Sequence, residues 1–500
     1  MAMVFGMFMA LLDIQIVSAS LSDIQAGLSA SSDQISWVQT SYLIAEVVMI
    51  PLSGFLGRLM STRYLFVASC VGFTIASFLC GMSTSIEEMI VFRAIQGFVG
   101  GAMIPSVFAA AFTAFPRSMQ PVLQPIIGLI ATLAPTIGPT IGGYLTELMS
   151  WHWLFFINIV PGILVTLVSW ALIDFDKPDW KLFDHFDWWG LGLMALFLCS
   201  LEYVLEEGAN DDWFQSEEIR IFALLTAVGA VGFFWRAFTR PEPIVDLSAF
   251  GNRNFATGSL FSFCMGIGLY GLTYLYPLYL AHVRGYTALM IGETMMVSGV
   301  AMFLSAPLVG RISAVLDLRI MMGIGFAGFA LGTWMLTGMT RDWDYWELFV
   351  PQVLRGVSLM MCMVPITNIA LGTLPPERLK NASGLFNLMR NLGGAVGLAV
   401  INTLINNRHD LHMARLRDHA TASNPRALEW LSQVATRFAD QGVLADTMAL
   451  KKLAQTVRAE AYVMALSDVF FLLTVLFLAL VPMILILRKP RMAGGGGGGH

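Results

Sequence analysis

Three ionisable residues lie deep inside apolar stretches of this 500-residue sequence: Asp13, Glu46 and Arg93. An Asp, Lys or Arg at the centre of a bilayer-spanning helix costs about 2.5–3.5 kcal/mol on insertion scales, so such residues mark functional positions. Burial in a medium of low dielectric constant favours the neutral form of a carboxyl group, and a nearby cation favours the charged form. A carboxyl held between these influences can exchange a proton for a positive charge. If Arg93 or a cationic ligand competes with the proton for Asp13 or Glu46, loading one expels the other and two fluxes become coupled. Plainer readings stand beside this one: Asp13 as a buried hydrogen bond between helices, and Glu46 as a carboxyl that faces a water-filled cleft without titrating. In the second half of the chain Arg355 and Arg390 are also intramembrane by position, with Asn387 close by in sequence. Each arginine pairs either with backbone carbonyls or with an acid in a structural role. Glu202, Glu206 and Glu207 close an apolar run and read as a solvated rim.

Other chemistries find no footing in the sequence. All seven histidines lie in polar connections or in the tail, and neither H-E-x-x-H nor a G-x-S-x-G elbow occurs, so no enzyme is expected. No G-x-x-x-x-G-K-[ST] loop occurs either, which is consistent with transport driven without ATP and implies no cofactor. The five cysteines sit in apolar runs without ligand spacing and read as packing residues, with no metal implied. With 29 basic and 34 acidic residues, scattered along the chain, nucleic-acid binding has no support.

The elements that must position these residues are membrane helices. At 56% hydrophobic and 13% charged, the chain belongs in a lipid bilayer. At about 20 apolar residues per span it divides into fourteen, the first at 3–20 and the last at 467–487. Residues 1–173 read as a six-helix bundle, 174–254 as two additional spans with their flanking loops, and 255–487 as a second six-helix bundle; 488–500 form a Gly-rich tail. An even number of spans puts both termini on one side. The short connections and the tail on that side hold fifteen Lys and Arg residues against three opposite, so both termini are expected in the cytoplasm. The polar segment 406–466 then lies on the periplasmic side. In it, Leu428, Leu431, Val434 and Phe438, then Leu450, Leu453 and Val457, fall near helical spacing and predict two short amphipathic helices. Thirty methionines and thirty-five phenylalanines supply adaptable apolar surface, for packing or for a pocket that re-packs around hydrophobic ligands.

The fifth span concentrates helix breakers: Pro135, Gly138, Pro139, Gly142 and Gly143. Glycines at i and i+4 let another backbone come close, as ordinary packing or as a hinge. P-L-S-G with an arginine at fixed spacing (Pro51 to Arg63) recurs as P-L-V-G (Pro307 to Arg319), a repeat expected of parallel halves.

The GPTIGG run, followed by Trp151, Trp153, Phe156, Asn158, Pro161 and Gly162, resembles the antiporter signature of the major facilitator superfamily, and in particular its fourteen-span drug:proton antiporters of the EmrB-like type. LDIQIVSASL (12–21) is similar to the first-span motif with its acid at Asp13, although Gln15 and Ser18 replace the Thr and Asn usual there. WVQTSYLIAEVVMIP (37–51) matches the second-span pattern with Glu46 as an extra acid, and RAIQGFVGGAMIP (93–105) the fourth-span motif through Arg93, Gln96, Gly97 and Gly101. NLMRNLGGAVG (387–397) resembles the penultimate span, with Gly393 and Gly397. The resemblance implies an all-α polytopic membrane protein with the major facilitator fold, two six-helix halves and two extra central helices. It further implies a proton-coupled antiporter of the bacterial inner membrane that exports hydrophobic or amphiphilic toxic compounds by alternating access. Arg93 would take part in proton coupling, and a periplasmic adaptor and an outer-membrane channel would be partners. A dedicated exporter of one compound class, such as fatty acids or siderophores, and a non-transporting sensor remain as alternatives. One departure concerns the cytoplasmic gate loop, Gly54, Arg58 and Arg63. Where the superfamily carries a locking Asp the chain has Arg58, and Ser61 stands for the glycine that follows, so gating must be arranged otherwise.

Overall fold

Residues 1–116, 119–421, 424–437 and 444–487 are described in the computed structural model. Among them every regular element is helical. Among the described residues twelve helical segments are long and apolar enough to cross a membrane, or up to fourteen if each of two bent pairs is one span.

In the first half, α1 (Ala2–Ala19) turns by 66° into α2 (Leu21–Leu28), and α3 (Ser32–Ile35) leads into α4 (Trp37–Leu59). α5 (Ser61–Met82) follows, then α6 (Ile86–Gly100) and α7 (Met103–Ala114), which form one apolar span interrupted by a turn at Gly101 and Ala102. α8 (Gln120–Leu148) bends by 42° between Ala134 and Thr136. The break falls at Pro135, which has no N–H to give to the preceding turn. α9 (Trp153–Phe156) and α10 (Ile159–Leu172) complete this half. Two inserted helices, α11 (Trp188–Glu207) and α12 (Glu217–Thr239), separate it from α13 (Arg253–His282), α14 (Ala288–Val315), α15 (Leu318–Met335), α16 (Tyr345–Leu371), α17 (Leu379–His419), α18 (Pro425–Arg437) and α19 (Ala445–Met483).

Polar residues set where the apolar runs become helices. Ser85 accepts from the Glu88 amide at the start of α6, Asp187 from Gly190 at α11, and Asn252 from Asn254 and Phe255 at α13. Asp344 and Glu347 form a capping box on α16. Each supplies an acceptor to amide donors that have no partner within the helix.

The two halves repeat one packing pattern. α1 lies on α8 and α4 on α6; α13 lies on α17 and α14 on α16. The halves meet where α8 packs on α14 and α4 on α17. α11 joins the bundle against α4 and α17, while α12 packs on α11 and turns most of its surface outward.

Segment 406–466 differs from the expected pair of short helices. The first stripe is α18, with Val434 buried against α19 and Leu428 exposed; Phe438 lies outside the described residues. The second stripe is no separate helix but the beginning of α19, which runs on into the last span. α17 likewise continues to His419, and its 41 residues reach about 60 Å at 1.5 Å per residue, twice the roughly 30 Å of a hydrocarbon core. His412 Nε2 meets Asp468 Oδ2 at 2.9 Å and Arg408 approaches the same oxygen at 3.6 Å, joining the two helices near the base of this projection.

Candidate functional site

Asp13 and Arg93 are both fully buried, and they form an ion pair. Arg93 reaches across from α6 and donates through Nη1 to Asp13 Oδ2 at 2.6 Å and to Gln96 Oε1 at 2.8 Å; its Nε donates to the Val38 carbonyl at 3.1 Å. Gln96 and Asn158 donate to Asp13 Oδ1 at 3.1 and 2.6 Å, and both also donate to Ser77 Oγ. Donors from α6 and from the turn before α10 therefore converge on one carboxylate of α1, and Ser77 of α5 accepts from two of them. All of its partners are N–H donors, the arrangement that suits an ionised carboxylate. The guanidinium carbon lies 4.2 Å from the Tyr42 ring centroid, and Nη2 has no hydrogen-bond partner.

The fourth-span glycines make this convergence possible. A side chain at Gly97 would collide with the Tyr42 carbonyl, and one at Gly101 would approach the Glu46 carbonyl at 2.8 Å, so α6 lies directly on α4. Gly138 and Gly142 do the same for α8 on α1: side chains there would strike Gln15 and, at 2.8 Å, the Ile16 carbonyl. Gly143 is buried and Pro139 lines the central cavity.

That cavity, about 490 Å³, opens between the halves. α1 gives it Gln15 and Ser18, α4 gives Glu46, α13 gives Tyr270, Thr273 and Tyr274, and α17 gives Asn391. Glu46 is 2% exposed and its Oε1 has no hydrogen-bond partner. The inserted α11 adds Glu202 to the same cavity. The solvated rim expected of the three glutamates is thus corrected for two of them. Glu202 and Glu207 are buried, Glu207 accepting from Thr40 Oγ1 at 3.1 Å, because α11 packs against α4 instead of facing solvent. A run of glutamates at the end of an apolar segment gave no sign of that contact.

In the second half Arg355 and Arg390 are buried with neither an acid nor a carbonyl cluster as partner. Arg355 donates to Thr273 Oγ1 at 2.7 Å and Arg390 to Asn387 Oδ1 at 2.6 Å, and Nη1 of each has no hydrogen-bond partner. Aromatic rings cover them, Tyr276 at 5.5 Å and Phe108 at 5.6 Å from the guanidinium carbons. Among the described residues no group of three or more His, Cys, Asp or Glu residues could hold a metal ion.

At the end of the bundle that carries the gate loop, Arg58 lies over Phe55 at 5.7 Å, and Arg63 stacks on Trp170 at 4.6 Å. Neither joins the halves. Gly54 does, because a side chain there would meet Asn381 Cα at 2.7 Å. An acid that joins the halves at this end is Asp176, which the sequence analysis did not single out. Its Oδ2 accepts from the Thr62 amide and hydroxyl, both at 2.8 Å, and forms an ion pair with Lys380 at the start of α17. Lys380 also donates to the Gly57 carbonyl at 2.7 Å. Ser61, at the tight turn before Thr62, has φ of 74°, the left-handed conformation that favours glycine.

Comparison with known proteins agrees with this architecture. The colistin resistance protein EmrB of Acinetobacter baumannii is 41% identical over 477 residues, 95% of this chain and 93% of its own length. The multidrug export protein EmrB of Escherichia coli strain K12 is 31% identical over 503 residues, 100% of this chain and 96% of its own. The crystal structure of the human organic anion transporter MFSD10 superposes with a TM-score of 0.57 at 13% identity, covering 95% of this chain and 98% of that one, a likeness of fold alone. The family model described as Major Facilitator Superfamily matches residues 3–398, and the chain is a multi-pass membrane protein that belongs to that superfamily.

Proposed function

We propose that this chain is a proton-coupled antiporter that exports hydrophobic and amphiphilic compounds across the bacterial inner membrane by alternating access. The observation that carries the reading is the buried Asp13–Arg93 pair beside a cavity lined by Pro139 of the glycine-rich fifth span. A proton that neutralises Asp13 releases Arg93, and a released guanidinium changes how α6 holds α1 and α4. That is a two-state element which both proton and cargo can bias. A membrane potential of about 180 mV gives roughly 4 kcal/mol per proton, at 2.3 kcal/mol per 100 mV, enough for about a thousandfold gradient of one substrate. The full-length relatives named for multidrug export and colistin resistance support the export direction.

On this reading the termini and the Lys380 end lie in the cytoplasm, and the cavity opens toward the periplasm. The projecting ends of α17 and α19, with α18, then offer the surface on which a periplasmic adaptor docks, passing cargo to an outer-membrane channel. A Gly/Ser linker in place of residues 420–450 is expected to leave transport by inner-membrane vesicles intact and to abolish resistance in whole cells. Full resistance with the linker overturns the docking role.

The test of proton coupling is Asp13→Asn in proteoliposomes energised by a pH gradient and loaded with a fluorescent amphiphile. Gradient-driven efflux is expected to fall to background, while the purified variant stays monodisperse, because the amide keeps the shape and loses the exchangeable proton. Wild-type efflux from Asp13→Asn refutes Asp13 as the proton carrier.

A further inference from the structure

We infer that a second cavity, between the end of α13, the α15–α16 connection and the projecting parts of α17 and α19, binds a phosphate group, carried by a lipid headgroup or free in solution, with Arg284, Arg341, Lys452 and Arg458 as its counter-charges. The site lies apart from the proton and cargo machinery and goes beyond the export reading. It encloses about 740 Å³, within the 300–1,000 Å³ usual for small-molecule sites. Its lining holds these four basic residues and a single acid, Asp342. His282 lines this cavity and the central one alike, so the two adjoin.

Positive charge is scarce on this face. Arg284 and Arg341 are two of the three Lys and Arg residues in its short connections, and both line the same cavity. The connection that carries Arg341 is fixed in place from α13: the Tyr279 hydroxyl donates to the Thr340 carbonyl at 2.7 Å, and Arg284 donates to the Arg341 carbonyl at 3.4 Å and pairs with Asp344 at 3.2 Å. Arg341 in turn approaches Asp342 and Glu460 at 3.6 and 3.5 Å, which ties the connection to α19. The nearby acids are thereby committed to the two arginines of the connections. Lys452 and Arg458 of α19 form no ion pair among the described residues, so two positive charges stand uncompensated on the cavity wall. Like charges around one cavity repel, and a phosphate group removes that repulsion while its oxygens accept from several N–H donors at once. Basic pockets between membrane helices take lipid headgroups by the same chemistry. Asn406, Gln455 and Thr456 add neutral donors to the same lining.

Two probes are applied to the purified full-length protein in a neutral detergent. Radiolabelled inorganic phosphate is measured by equilibrium dialysis, and phosphatidylglycerol, offered with an equimolar amount of zwitterionic phosphatidylcholine, is counted on the protein by native mass spectrometry. The wild type is expected to hold phosphate at one site per chain, or phosphatidylglycerol at least fivefold in excess of phosphatidylcholine. Phosphate binding without a lipid preference assigns the site to the free anion, and a lipid preference without phosphate binding assigns it to the headgroup. Lys452→Ala combined with Arg458→Ala, both exposed positions, is expected to lower the binding at least tenfold, whereas Lys452→Arg with Arg458→Lys keeps both charges and is expected to preserve it. Arg415→Ala with Arg417→Ala removes the same charge from exposed positions of α17 outside the cavity and is expected to bind like the wild type. A wild type that holds neither probe overturns the proposal, and so does a doubly substituted α19 that binds as well as the wild type. An equal loss in the α17 control also overturns it, because the effect is then one of net charge. No gradient and no cargo enter these measurements, so the antiport reading stands or falls separately, on efflux by Asp13→Asn.

Discussion

The two halves share their packing and differ in their charges. In each, the fourth span sends a buried arginine to the first: Arg93 on α6 to Asp13 on α1, and Arg355 on α16 to Thr273 on α13. An aromatic ring covers each guanidinium, Tyr42 in the first half and Tyr276 in the second. The partners part company there. Asp13 is ionisable and collects three donors, whereas Thr273 is neutral and its hydroxyl donates a hydrogen bond to the Leu269 carbonyl at 2.7 Å. Among the described residues, no Asp or Glu of α13–α19 is buried. A buried arginine therefore does not make an exchange site by itself. On the proposed antiport reading the exchangeable acid belongs to the first half, while the second half holds buried arginines without buried acids among the described residues.

The sharpest way to break that contrast is to remove each arginine in turn. Arg93→Ala strands Asp13 at zero exposure with only Gln96 and Asn158 as donors, and loss of one partner of a buried pair costs about 3–5 kcal/mol. Arg355→Ala removes one hydrogen bond to a hydroxyl, worth about 1.5–3 kcal/mol, and also removes an incompletely partnered buried cation. Thermal unfolding in detergent is expected to put Arg93→Ala well below Arg355→Ala. The opposite order would mean that the second-half arginine carries the greater structural load.

Packing should answer symmetrically where charge does not. Gly138 lets α8 touch Gln15 on α1, and Gly393 lets α17 touch the Phe263 carbonyl on α13. Overfilling a tight contact costs about 1–3 kcal/mol, and in both places part of the obstacle is backbone that cannot rotate away. Gly138→Leu and Gly393→Leu are both expected to stop transport in proteoliposomes while binding of the fluorescent amphiphile persists. Full transport by either variant would show that the contact between first and fifth spans matters in one half only.

What the sequence made legible follows from strong local signals. Apolar runs of bilayer length revealed the spans, and the cost of an intramembrane charge singled out Asp13, Glu46 and Arg93. The partners were harder to read. Ser77 contributes an acceptor that looks like any small residue in a packed helix, and Asn158 becomes a ligand of Asp13 only because α10 starts where it does. Glu202 sat near the end of a run, where polarity ordinarily signals solvent, and its burial depends on α11 meeting α4 and α17, a contact no local pattern encodes. The helical projection was hidden for the opposite reason. A helix that leaves the bilayer loses its apolar composition without losing its hydrogen bonds, so α17 and α19 read as span plus loop when each is one helix.

The smallest effect concerns the end where the halves meet through Asp176, and it asks whether the charge contrast extends there. Here the first half again supplies the acid and the second half the cation, since Asp176 follows α10 and Lys380 opens α17. The setting is different, because both side chains keep partial exposure, 17% for Lys380 and 15% for Asp176. An ion pair with that much water is worth about 1 kcal/mol or less once screening is counted, although the two Thr62 hydrogen bonds at 2.8 Å hold the carboxylate in place and favour the upper end. About 1 kcal/mol corresponds to roughly a fivefold change in an open-to-closed ratio. Asp176→Asn keeps an acceptor for Thr62 and removes the charge that faces Lys380, so it is expected to raise solvent access to the Gly54–Asn381 contact about fivefold. The readout is the rate at which a cysteine introduced at Asn381 reacts with a water-soluble thiol reagent. Lys380→Met should give a similar rise, and 1 M salt should erase most of the difference between wild type and variant. Unchanged labelling in both variants would mean that close backbone packing at Gly54 and Gly384 closes this end without help from charge.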